Sequence, residues 1–371
     1  DGSVVTWGDA DRGGDSSAVA ALLSGGVVQV CGNDMAFAAI KADGSVVTWG
    51  DRNCGGGNSS AVAALLTEGV VQICASDRAF AAIKADGSVV TWGDARGGGN
   101  SSAVAALLTE GVVQICGSAM AFAAIKADGS VVTWSDRCGG GDSSAKKNSL
   151  RLKTLGRRTP KRTKMCPHIS VVQICGNAEA FAATKADGSV VTWGEPHCGG
   201  DSSVVAELLT EGVVEICGSD MAFAAIKADG SVATWGGAFS GSDSSAVAEF
   251  LTEGVVQICG SDMAFAAIKA DGSVVTWGDA RGGGNSSAVA ALLTEGVVQI
   301  CGSAMAFAAI KVDGSVVTWG DRHCGGDSSA VAELLTEGVV QICGMTWGSA
   351  VCGGDSSAVA PLLSEGVVQV C

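Results

Sequence analysis

"ADGSVVTWGDARGGGNSSAVAALLTEGVVQICGSAMAFAAIK", residues 85–126, occurs again without a single change at residues 270–311. Its Asp-Gly-Ser begins at residues 1, 43, 86, 128, 187, 229, 271 and 313 of the 371-residue chain, at intervals of 42 or 43 with one of 59. Self-similarity at such a period marks a repeat architecture, one small unit stacked many times. Identity over a whole unit points to recent duplication. It also argues against one finely tuned catalytic centre, because every unit offers the same side chains.

Two stretches of the unit, "AFAAIK" and "SVVTWG", are short apolar runs rich in β-branched and aromatic residues. Asp-Gly between them is the favoured pair for a two-residue type I′ hairpin. That reading places Ile83 across from Val90 and Ala81 from Trp92, with Phe80, Lys84 and Val89 on the opposite face. Both faces are mostly apolar, so both need cover. "GVVQIC" supplies a further strand. "GGGNSSAVAALLTEG" reads as a helix of at most two turns, capped by Asn100, Ser101 or Ser102. Val104, Leu107 and Leu108 form its apolar stripe, and Gly111 suits its end.

A unit of three visible strands cannot bury both faces alone. Radial stacking does so, which predicts an all-β β-propeller. An open solenoid is the competing architecture. Complete strand triplets run over 27–49, 70–92, 112–134, 171–193, 213–235, 255–277 and 297–319, so about seven blades are expected. Eight is the alternative, since another unit begins at 339 but jumps from Cys343 to Trp347. The terminal "DGSVVTWG" and "GVVQVC" could pair to close a ring. The chain opens in the middle of a repeat, as a piece of something longer would. All 371 residues read as one repeat-built domain with a basic insertion at 146–170.

"DGSVVTWG" followed by "GVVQIC…AFAAIK" resembles the repeat of the regulator of chromosome condensation family, whose fold is shared by β-lactamase inhibitor protein II. The Trp-Gly step stands at Trp7, Trp49, Trp92, Trp193, Trp235, Trp277, Trp319 and Trp347, and Ser135 replaces the Gly after Trp134. The family's Gly-Gly-x-His signature is missing, with Ala121 about where the His would fall. The resemblance implies a propeller of about seven blades and does not select among the family's functions.

Composition narrows the partners. The net charge is −15, and outside 146–170, which holds nine of the 23 Lys and Arg and none of the 38 acids, it falls to −24. Such a body repels nucleic acid and anionic lipid. No apolar run of about 18 residues offers a membrane span.

Cysteine is the first candidate for chemistry, with 15 residues. Nine follow "VVQI", "VVEI" or "VVQV" at one strand position, which reads as a small buried residue in a reducing, intracellular compartment, cytoplasmic or nuclear. Cys54, Cys138, Cys198, Cys324 and Cys352 lie before Gly-Gly and read as exposed loop variation. No ligand spacing for zinc occurs, so no metal or other cofactor is expected. "GGDSS" superficially matches a nucleophile loop. Its Asp alternates with Asn between units, as capping requires, so no catalytic residue is assigned. One Trp per unit reads as blade-to-blade packing.

The expected function is a non-enzymatic scaffold for protein partners, presenting the variable loops after Trp-Gly. Asp51, Arg52, Arg96, Glu195, His197, Phe239, Asp321, Arg322 and His323 are its candidate binding residues. One alternative is a chromatin-associated or small-GTPase nucleotide-exchange propeller, and another a regulatory propeller from a large ubiquitin ligase. Nucleic acid could be met only by the basic arm of Lys146, Lys147, Arg151, Lys153, Arg157, Arg158, Lys161, Arg162 and Lys164. That insertion, 146–170, has two readings: a functional arm, or translation of a wrong frame or retained intron in place of "VAALLTEG".

Overall fold

The computed structural model describes residues 2–6, 9–56, 62–135, 170–329, 335–337 and 339. The basic arm, the truncated last unit from 340 onward and the pairing of the two chain ends lie outside the described residues.

The described residues form seven three-stranded antiparallel sheets. These are blades 1 to 7, over residues 27–50, 70–93, 112–135, 171–194, 213–236, 255–278 and 297–320. Blade 2 stands for all of them, with an inner strand Val70–Ala75, a middle strand Ala79–Lys84 and an outer strand Val89–Gly93.

Alternation along "AFAAIK" gives each blade two unlike faces. Phe80, Ala82, Val90 and Trp92 share one, and Ala79, Ala81 and Ile83 share the other. The aromatic face of blade 2 packs on Ala36, Ala38 and Ile40 of blade 1, and its alanine face receives Phe122, Ala124, Val132 and Trp134 of blade 3. Large side chains thus meet small ones at every junction, which lets close-packed layers repeat without voids. Within each blade Phe stacks on Trp, at 5.3 Å between ring centroids in blade 2. The Trp92 indole N–H crosses the junction to the Gly55 carbonyl at 3.2 Å, and Trp134, Trp235, Trp277 and Trp319 repeat that bond. The Trp series therefore staples blade to blade, as its spacing predicts.

The hairpin differs from the sequence expectation by one residue of register. Ile83 pairs with Val89 and Phe80 with Trp92. Of the two turn residues only Gly87 has positive φ, at 75°. A type I′ turn needs positive φ at both. The Gly87 N–H bonds the Lys84 carbonyl at 2.8 Å and the Lys84 N–H bonds that of Ser88 at 2.9 Å, which makes a type I turn with a glycine bulge. Asp86 is held out of the left-handed region because its Oδ1 accepts from both the N–H and the hydroxyl of Ser88.

The expected α-helix is a 3-10 segment, Ser102–Leu107 in the unit between blades 2 and 3. Its path explains this. Thr91 bonds Gly99 and Ser101, and the Val89 N–H bonds the Leu108 carbonyl, so 99–108 runs along the outer strand where a fourth strand would lie. Such a stretched path favours the 3-10 form, and only the equivalent segment before blade 1 closes a single α-helical turn among the described residues, Ala20–Leu23. Of the three capping candidates, Ser101 stands at the N-cap without a side-chain bond, and Asn100 just before it accepts from the Ser102 N–H.

The turns between inner and middle strands are linked in series. Main-chain N–H groups of Asp34, Asp77, Ala119, Ala178, Asp220 and Asp262 each donate to the equivalent carbonyl of the next blade, at 2.9–3.3 Å, ending at Ala304. The Asp34 and Asp77 carboxylates, from blades 1 and 2, are near enough to Asp262 of blade 6 to raise its pKa. A linear array would hold these residues many blade widths apart. Their approach shows that the turns circle an axis, which decides for the propeller over the open solenoid. Inner strands converge there so tightly that a Cβ on Gly218 would lie 3.0 Å from the Gly176 carbonyl oxygen.

Partial units flank the seven blades. Val4 and Val27 bond Leu23 and Gly2 as Val46 and Val70 bond Leu66 and Gly44, so residues 2–6 stand in for an outer strand ahead of blade 1. After blade 7, the bond from Val339 N–H to Gly314 starts the next unit in the same way. Beyond the insertion, the Ser170 carbonyl takes the bond that glycine carbonyls such as Gly111 accept elsewhere.

Candidate functional site: the loop face and its axial carboxylates

All loops that follow Trp-Gly emerge at one end of the blades, and the Asp-Gly turns lie at the other. Each loop folds inward. Its first main-chain N–H bonds the residue after the axial position, as Asp94 does with Arg78. A buried polar residue of the axial turn holds the fourth loop residue by its carbonyl. Ser76 bonds Gly97 at 2.6 Å, Asn177 bonds Cys198 at 2.6 Å and Ser219 bonds Ser240 at 2.6 Å. A left-handed glycine then ends the 3-10 turn, Gly98 at φ 97° in the loop of blade 2.

This frame sorts the predicted binding residues. Asp51 and Asp321 are tied inward, accepting from the N–H groups of Asn53 and His323. Glu195 stands at the same position without such a bond. Arg52, Arg96, His197, Phe239, Arg322 and His323 are exposed at or next to the loop tips, Phe239 at 83%. The structure places them on one face, one loop per blade, rather than in a single cleft. Arg96 leans on its own capping Asp94 at 3.4 Å.

Of the loop cysteines, Cys138 and Cys352 lie outside the described residues, Cys324 is half-buried, and the other two are not exposed variation. Cys54 and Cys198 occupy the fourth position and are buried, because that residue lies between the loop and the axial turn. The described strand cysteines in turn are half-buried rather than buried, as they line the inner strands beside the axis. Loss of hydration there still pushes Cys74 up to about 11 and Cys175 to about 12. Cys259 accepts from the Gly302 N–H of the next blade at 3.1 Å. Among the described residues no three metal-ligating side chains converge.

Sequence reasoning missed the axial acids. Asp34, Asp77, Asp220 and Asp262 surround the axis on the loop face, half-buried. Burial, then the Asp34 and Asp220 carboxylates, push Asp77 up to about 7 against the pull of Arg78. Burial followed by Asp220, Asp34 and Asp77 takes Asp262 to about 7. Asp34 is raised by burial and relieved in part by Arg12 and Arg78, and Asp220 is raised by burial and Glu179. The Oδ1 of Asp34 is buried without a hydrogen-bond partner. One signal pointed here: this position alternates between Asp and Ala inside an otherwise nearly constant segment.

No family model matches the chain, and no curated protein matches it. Solved structures do. Human WBSCR16 is 14% identical with a TM-score of 0.45, over 76% of this chain and 88% of its own. Prp20p from Saccharomyces cerevisiae, described with its binding to Gsp1p and histones, is 16% identical with a TM-score of 0.43, over 79% and 72%. The CRINKLY WD40 ectodomain of the Arabidopsis thaliana receptor kinase ACR4 is 14% identical with a TM-score of 0.40, over 74% and 89%. Among the described residues no helix is long and apolar enough to cross a membrane. Seven sheets, stacked face on face around an axis, make this chain a β-propeller of seven described blades built from a duplicated 42-residue unit.

Proposed function

We propose that the chain is a non-enzymatic scaffold whose protein partner docks on the loop face, around the axial carboxylates. One observation carries this reading. Each loop is held by the same main-chain and buried side-chain bonds, while its exposed tip changes in chemistry between blades. Buried Ser or Asn and the left-handed glycine recur in these loops and a capping Asp in most of them, while the tips include Arg96, His197, Phe239 and His323. Diverse side chains on a preorganised frame lose little entropy on binding. Phe239 is the natural anchor, since an aromatic group that becomes desolvated at the centre of an interface contributes most.

The test is affinity capture with the intact chain and with a variant carrying Arg96→Ser, His197→Ser, Phe239→Ser and His323→Ser. A partner should be retained by the parent and lost, by tenfold or more, from the variant. The Phe–Trp near-ultraviolet circular dichroism should stay unchanged. Equal capture by both would refute the reading.

A further inference from the structure

The opposite end of the propeller carries an apolar surface that no other described residue covers. Each inner strand begins with two valines, and a bulge separates them. In blade 2 the register shifts between Val70 and Gln72, so Val70 turns into the core while Val71 is left outside. Val71, Val113, Val256 and their counterparts in the other four blades are 54–63% exposed. The segments leading into the inner strands add Leu65, Leu107, Leu292 and the equivalents Leu22, Leu208 and Phe250 at 48–52%. These stand at the same end, because the Leu107 carbonyl accepts from Lys126 at 3.0 Å, next to the turn of blade 3. Val312 replaces the Ala of the other turns and is 77% exposed there. Between blades 2 and 3 a cavity of about 400 Å³ opens on this end, lined by Val71, Val113 and the Asp86-Gly87 turn.

The area overlaps the range of an ordinary lone molecule's largest apolar patch and extends above it. At ~25 cal/mol per Å² and ~1.5–3 kcal/mol per side chain, an exposed Val or Leu represents roughly 60–120 Å², so thirteen half-exposed ones leave roughly 400–800 Å². The largest apolar patch on an ordinary monomer is about 300–600 Å². Two such ends placed together would bury roughly 800–1,600 Å² of apolar surface, and a stable interface takes about 1,200–2,000 Å² in all.

We propose that this end is a self-association surface, and that its occupant is the same end of a second copy of the chain. The repeat selects that occupant. Among the described residues the surface offers one Val at every blade and one Leu or Phe at six of the seven, placed by the same repeat. A second copy brings the same spacing, so each pair meets an equivalent pair across a two-fold axis. Such a contact is isologous and closes at two copies. Lys84 and its equivalents, and the exposed Asp86 and Glu110 with theirs, surround the apolar groups, and among these described residues the acids are in excess. Their mutual repulsion opposes the contact at low salt. The loop faces then point outward on both sides, and the pair engages partners bivalently.

Sedimentation equilibrium of the full chain at tens of micromolar tests this. The expected result is twice the chain mass, tightening as salt rises, because salt screens the acids and leaves apolar burial intact. Val113→Glu with Val256→Glu should return the chain mass while keeping the near-ultraviolet Phe–Trp signal. If that pair loses the signal, Leu65→Gln with Leu292→Gln takes its place under the same criterion. A parent at the single-chain mass, a folded variant still at twice that mass, or association that weakens with salt would each overturn the proposal. The loop-tip variant leaves the mass unchanged, so this reading and the scaffold reading fail separately.

Discussion

Gly87 and Gly111 share a backbone conformation but not a neighbourhood. Their φ values are 75° and 73°. A Cβ on Gly87 would lie 2.6 Å from the main-chain nitrogen of Gly111 and 3.1 Å from that of Val112, in the next blade. A Cβ on Gly111 would meet only the end of the Lys126 side chain, at 3.6 Å. Alanine at either position incurs the left-handed strain, about 1–2 kcal/mol. At Gly87 it must also push two blades apart, and overpacking of this kind costs a further ~1–3 kcal/mol. Gly87→Ala should therefore destabilise the chain by about 2–5 kcal/mol and Gly111→Ala by about 1–2 kcal/mol. Urea titration followed by Trp fluorescence gives the two values. Amide exchange locates the difference, since the bond that must lengthen runs from the Val112 N–H to the Gly87 carbonyl, now 3.0 Å. Val112 should lose protection in Gly87→Ala and keep it in Gly111→Ala. Equal destabilisation with unchanged Val112 exchange would refute the argument that the Asp-Gly turn is a blade-to-blade contact.

Further outcomes follow from other sites. Thr184 replaces the Ile of sister units, is 4% exposed, and has an Oγ1 with no partner. Thr184→Ile should raise stability by about 1–3 kcal/mol, seen as a higher urea midpoint, because it removes an unsatisfied buried hydroxyl. Trp277→Phe should cost ~1 kcal/mol or more by leaving the Gly241 carbonyl without its donor at 2.9 Å, whereas unchanged thermal unfolding would contradict the staple. The folded chain holds protons on Asp77 and Asp262 that the unfolded chain releases near pH 4. Their contribution is thus complete below that pH and is lost as pH rises through about 7. Asp77→Asn with Asp262→Asn should flatten the fall in urea midpoint between pH 5 and pH 8, and an unaltered slope would show that these acids do not govern it.

Much of this architecture was legible from residues 85–126 alone. A period of 42, two apolar strands around Asp-Gly and a Val-rich strand imply three strands per unit, and apolar character on both faces implies that units stack. A count of about seven blades, with eight as the alternative, the packing role of Trp and the local bond of Asn100 follow from the repeated sequence, because each depends on contacts close in the chain or repeated from unit to unit. Register was not legible. Asp-Gly is compatible with a two-residue turn and with a longer bulged one, and the choice fell to the Ser88 hydroxyl and to the neighbouring blade pressing on Gly87. The 3-10 form of "SAVAAL" was equally hidden, since only the length of the outer strand beside it limits its winding. Circular closure and the axial acids belong wholly to the tertiary structure. Asp34 and Asp262 are 228 positions apart, and no local preference relates them. They meet because each junction of a large aromatic face with a small alanine face turns the next blade by the same angle, and the accumulated rotation brings the first and sixth blades to one axis.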